Sequence, residues 1–149
     1  MAAFRLARVL HLRTQLRRLR MHEAETLGSE LARLRRQAAS LAARREEWAR
    51  IEAATASDGV DATVFQVGRA YDDALADEER ACGREQERVT AALLAKRAEV
   101  EAERREERKI EQLERLHDAR EAEDEAHRLA TLLDELALRR HATLNGGRS

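Results

Sequence analysis

Apolar residues in the first third of the chain recur in steps of three and four. They fall at Leu6, Val9, Leu12, Leu16 and Leu19, then at Leu27, Leu31, Leu34, Ala38, Leu41, Trp48 and Ile51. Such spacing predicts a helix with a coiled-coil seam. Between Leu19 and Leu31 the steps lose register, which predicts a stutter around Gly28, with the helix continuing through it locally unwound. A second run carries Val64, Phe65, Val67, Tyr71, Leu75, Cys82, Val89, Leu93, Val100, Ile110, Leu113 and Leu116, then Leu129, Leu132, Leu133 and Leu136. The two runs are separated by Ala54-Thr55-Ala56-Ser57-Asp58-Gly59-Val60-Asp61-Ala62-Thr63. Gly59 suits a positive φ, Ser57 and Asp58 favour a turn, and Asp61 is placed to cap the second helix. Asn145-Gly146-Gly147 tolerates the left-handed conformation of a helix C-terminus. The predicted elements are a helix over 4–54, a turn over 55–62, a helix over 63–142 and a tail over 143–149.

In an antiparallel hairpin, facing residues have position numbers with a nearly constant sum. One such register pairs Ile51 with Phe65, Trp48 with Gly68, Leu41 with Leu75, Leu34 with Cys82, Leu27 with Val89, Leu16 with Val100, and Leu6 with Ile110. Apolar meets apolar at nearly every step, and the largest side chain meets a glycine. The prediction is an all-α fold, a long antiparallel two-helix coiled-coil hairpin. Polar residues Glu78, Lys96, Glu103 and Glu107 fall where this seam expects burial, so a marginal coil is expected. The second helix outruns the first by roughly 30 residues, an overhang of about 45 Å. It still carries Leu129, Leu132, Leu133 and Leu136, and a lone helix in water gains little from them. They imply a partner or a second copy.

Composition sharpens this picture. The chain has no proline, whose ring breaks helix interiors. Charged residues make up 38% of its 149 positions and aromatics 3%, too lopsided for a thick globular core, so one helical domain is expected. High charge also marks disorder, but a net charge of −1 and leucines at helical spacing favour helix. Residues 1–50 carry an excess of arginine and 51–149 an excess of acid, so an antiparallel hairpin is self-complementary. The single cysteine, Cys82, leaves no internal disulfide and fits a reducing compartment. No apolar run approaches the roughly 20 residues of a membrane span, and Arg5, Arg8 and Arg13 break the opening apolar stretch where a signal peptide would run on. A cytoplasmic location is expected, with no direct membrane span.

Catalytic chemistry has no visible seat. His11, His22, His117, His127 and His141 are scattered, with no metal-ligand spacing. There is no glycine-rich phosphate loop and no nucleophile with a matched base. No enzyme activity, cofactor or metal is expected. Arginine outnumbers lysine 26 to 2, a compositional bias more than a choice for phosphate, and stacking aromatics are nearly absent, so nucleic acid is not an expected partner.

The opening Phe4-Arg5-Leu6-Ala7-Arg8-Val9-Leu10-His11-Leu12-Arg13 resembles the N-terminal signature of the FliJ family of flagellar type III export proteins. The ending Leu133-Asp134-Glu135-Leu136-Ala137-Leu138-Arg139-Arg140 resembles that family's C-terminal Asp-Glu motif. Chain length and turn position agree as well. The resemblance implies a hairpin similar to the central stalk of rotary ATPases. It implies association with a hexameric export ATPase, contact with a membrane-embedded export gate, and handling of export chaperones, at the inner-membrane base of the flagellum. Leu129, Leu132, Leu133 and Leu136 would then face the ATPase ring. Gln37, Leu41, Trp48, Tyr71 and Leu75 match a gate-contacting patch of the family, while Arg44, Glu78 and Cys82 depart from its aromatic, small and histidine residues. A related stalk protein of an injectisome is the nearest variant. The alternative class is a structural coiled coil that self-associates as a scaffold.

Overall fold

A computed structural model describes residues 6–59 and 61–147. They form an all-α hairpin of two long helices packed against each other, α1 (Ala7–Ala56) and α2 (Ala62–Gly146), with no strand among the described residues. The predicted start of the first helix at Phe4 lies outside the described residues, as do Val60, Arg148 and Ser149. Elsewhere the helices run further than predicted. α1 ends at Ala56, not at 54, and hydroxyls in its last turn donate back to carbonyls, Ser57 Oγ to Ala54 at 2.7 Å and Thr55 Oγ1 to Ile51. α2 ends at Gly146, not at 142, with Thr143 Oγ1 donating to the Arg140 carbonyl at 2.9 Å and Asn145 Nδ2 lying 3.1 Å from His141 Nδ1. The turn is as the sequence suggests. Gly59 has φ +75°, and the Phe65 N–H donates to the Asp61 carbonyl at 3.2 Å, which puts Asp61 at the N-cap.

Packing divides the chain into two units. One is Leu16–Ala102. Here a strict three-four alternation of buried and half-buried positions runs along both helices, Arg17, Arg20, Ala24, Leu27, Leu31, Leu34, Ala38, Leu41, Arg45, Trp48 and Glu52 on α1 and Gly68, Asp72, Leu75, Glu79, Cys82, Gln86, Val89, Leu93, Lys96 and Val100 on α2, with half-buried flanking residues such as Glu23, Glu30, Glu85 and Glu99 beside it. This is the heptad seam of a left-handed pair. Its apolar centre is Leu31, Leu34, Leu41, Leu75, Cys82, Val89 and Leu93, with Ala24, Leu27 and Ala38 packed against it. Two of the predicted cross-helix pairs are in direct contact. The Cys82 thiol donates to the Leu34 carbonyl at 3.4 Å, and the Trp48 indole lies on Gly68.

Three expectations are corrected in this unit. There is no stutter: the alternation runs unbroken through Gly28, because Arg17, Arg20 and Ala24 hold the seam positions, and Leu19 stands 55% exposed outside it. The seam tolerates cations there because acidic partners meet them across the pair, Glu99 bonding Arg20 and Glu23 lying 2.8 Å from Lys96, while Glu99 on the same helix lies 3.1 Å from Lys96. Long basic side chains cover the seam with their methylenes and carry the charge to its edge. Ile51 and Phe65 do not close a buried layer; they are about half exposed, since Ile51 sits one position off the α1 alternation, which runs through Glu52. Glu78 is exposed, and Glu79 takes the seam place beside it.

The other unit joins the described part of Met1–Gln15 to Glu103–Ser149. Leu6, just before α1, and Leu10 and Arg13 on it lie half-buried, and on α2 Glu107 and Ile110 are buried with Glu103 half-buried. Arg13 Nη1 meets Glu103 Oε2 at 3.2 Å. The predicted polar seam positions Glu103 and Glu107 are thus seam residues. Val9 and Leu12, by contrast, are exposed. On α2 the alternation ends with half-buried Glu114 and His117, and every residue over 118–147 is exposed.

Candidate partner-binding surfaces

Two sets of side chains were expected to bind partners, and the structure treats them differently. In the unit Leu16–Ala102, Leu41 and Leu75 are buried in the apolar centre of the seam, where their chemistry is packing. Gln37 is exposed. Trp48 and Tyr71 are brought together edge to face with ring centroids 5.3 Å apart, Trp48 half-buried and Tyr71 exposed. From this set a partner can reach Gln37, Tyr71 and the rim of Trp48.

Trp48 is set by its neighbours. A Cβ built on Gly68 would lie 2.5 Å from Trp48 Cζ2, so the six-membered ring occupies the space that any larger residue would need. The Trp48 Nε1–H is buried and meets no acceptor among the described residues. Next to it, Glu52, Thr55, Ala56, Val64, Phe65 and Gly68 complete a cavity of about 80 Å³. Exposed Val64, Phe65, Val67 and Tyr71 make this end of the unit apolar. Sequence reasoning missed the cavity because it closed Ile51 onto Phe65. The signal was present in the alternation itself, which puts Glu52 and not Ile51 opposite the Phe65 turn of α2.

Below this cavity a charge cluster locks α1 to α2. Arg45 reaches both Asp72 carboxylate oxygens, at 3.0 and 3.2 Å, and Glu79 at 3.0 Å. The hydrogen bond from Arg45 holds the Asp72 carboxyl below its ordinary range, and the bonds to Asp72 and Glu79 raise the guanidinium further above its own. Glu99 is lowered likewise by its bonds from Lys96 and Arg20, and Lys96 is raised by Glu23 and Glu99. These shifts belong to ion pairs across the seam and, for Lys96 with Glu99, along α2.

In the unit containing Glu103–Ser149, Leu129, Leu132, Leu133 and Leu136 share one helix face at steps of three and four and are 54–65% exposed. They do not continue the hairpin seam. Stepping on from His117 by the same alternation gives Glu121, Asp124, Arg128, Thr131 and Glu135, all polar. The leucine face is therefore a second, separate apolar register on the same helix.

Among the described residues no cluster of His, Cys, Asp or Glu could hold a metal ion, and no helix is long and apolar enough to cross a membrane. Comparison of the chain with protein-family models, curated proteins and solved structures gives no match.

Proposed function

We propose that this chain is a non-enzymatic component of a flagellar type III export apparatus, a stalk-like coiled coil that couples a hexameric export ATPase to the export gate and assists export chaperones. It would work in the cytoplasm, peripheral to the inner membrane at the flagellar base. The observation that carries this reading is the exposed leucine face at Leu129, Leu132, Leu133 and Leu136, on helix that no other described residue covers. Four leucines in water on one face gain nothing until another apolar surface meets them. The terminal motifs that resemble the FliJ family supply the choice of partner, the ATPase ring. Gate contact falls to the exposed members of the second set, Gln37, Tyr71 and the Trp48 rim, with Leu41 and Leu75 supporting them from below.

The reading is tested by ATP hydrolysis of the export ATPase with and without the full chain. Stimulation that disappears when Leu129, Leu132, Leu133 and Leu136 are changed to Ser supports it. An ATPase indifferent to the chain removes it.

A further inference from the structure

The free stretch of α2 has an internal symmetry. Residues 118–147 are exposed without interruption. The leucine face is centred between Leu132 and Leu133, with Leu129 and Leu136 equidistant from that point. Charge is arranged about the same point. Acid outweighs base on one side, where Glu121, Glu123, Asp124 and Glu125 stand with Arg120 and Arg128, and on the other side Arg139, Arg140 and His141 follow Asp134 and Glu135.

We propose that this stretch pairs with the same stretch of a second copy, antiparallel, about a two-fold axis between Leu132 and Leu133. A two-fold axis there lays Leu129 on Leu136 of the second copy and Leu132 on its Leu133. Glu125 then faces Arg140 of the second copy, Asp124 faces its His141, and Arg128 flanks its Glu135. Each contact occurs twice, as an isologous interface requires. A parallel pair would stack the acidic block on the acidic block and is disfavoured by like-charge contact. The exposed stretch starts just after His117, where the hairpin seam ends, so the pairing leaves that seam intact. Leucines at steps of three and four, flanked by complementary charge, are the sequence of a helix pair. The pair would hold the leucine face covered until another partner displaces the second copy.

The test is sedimentation equilibrium of the full chain with two charge-reversed variants. One is R139E/R140E and the other D124R/E125R. The wild type is expected to dimerise. Each variant alone is expected to dimerise about a hundredfold more weakly, and an equimolar mixture is expected to recover near wild-type association, because reversed acid then meets reversed base. The hairpin seam contains none of these residues, and circular dichroism of each variant verifies that helix is retained. A wild type that stays monomeric throughout overturns the proposal, and so does a mixture no tighter than its components. Hydrolysis by the export ATPase reports separately: a dimer that leaves the ATPase unaffected keeps the pairing and removes only the stalk reading.

Discussion

Replacing Gly68 with Ala turns the best-defined contact of the hairpin into a measurement. In an exposed helix interior, Gly to Ala stabilises by about 0.5–1 kcal/mol, because glycine loses more backbone freedom on folding. At Gly83 a new Cβ has nothing within 4 Å, so Gly83→Ala should show that gain. At Gly68 the new Cβ would lie 2.5 Å from Trp48 Cζ2, and ordinary contact begins about an ångström further out. The indole must shift, which moves it from Tyr71 and from the cavity wall. Overpacking of this kind costs about 1–3 kcal/mol. Gly68→Ala should therefore lie about 1–3 kcal/mol below Gly83→Ala on the same helix. At about 4 °C per kcal/mol, the two melting temperatures should differ by roughly 4–12 °C in thermal unfolding followed by circular dichroism. In a Trp48→Ala background the difference should vanish, since the obstacle is gone. Equal melting temperatures for the two glycine variants in the wild-type background would refute the seating of Trp48 on Gly68.

Two further outcomes follow from the seam. Leu19→Ser should change stability by no more than about 0.5 kcal/mol, as for a surface site, whereas Leu34→Ser should cost about 3 kcal/mol or more in urea unfolding; comparable losses at both sites would return Leu19 to the seam. Acid should weaken the hairpin. Asp72 and Glu99 have carboxyls held lower in the folded than in the unfolded chain, so their contribution is complete above the unfolded value near pH 4 and is lost as pH falls through the lower folded one. Arg45→Gln should flatten the slope of stability below about pH 4, and an unchanged slope would show that Asp72 is not held by Arg45.

The hairpin and its turn were legible because each rests on strong local chemistry. Leucines at helical spacing, no proline, Gly59 at a positive φ and Asp61 at the N-cap all agree. The register of Leu34 on Cys82 and of Trp48 on Gly68 followed from matching large and small side chains. The first half of α1 was misread for a physical reason. Val9, Leu12, Leu16 and Leu19 look like a seam by hydrophobicity, yet the helix buries Arg13, Arg17 and Arg20 more deeply. A pattern that counts only apolar residues has no way to see a charged seam, because the reward lies in carboxylates such as Glu99 and Glu103 some 80–90 residues away. Reading the arginines as candidates for burial, and searching the other arm for facing acids, would have found it.

For the binding surfaces, the sequence located the leucine face but not its independence from the seam. That independence appears only when the alternation from Gly68 to His117 is fixed and extended, and it then meets Glu121, Asp124 and Arg128. The gate set mixed two kinds of residue. Leu41 and Leu75 lie on the seam alternation and are core, while Tyr71 lies one position off it and is exposed.

The central claim of the proposed function is that the leucine face would act on an export ATPase. It is tested most directly by titrating the full chain into the assembled export ATPase and following the rate of ATP hydrolysis. The account predicts a rate that rises and saturates, with no rise for the variant carrying Ser at 129, 132, 133 and 136 and a normal rise for Tyr71→Ala. A rate raised equally by the wild type and the four-serine variant would contradict it.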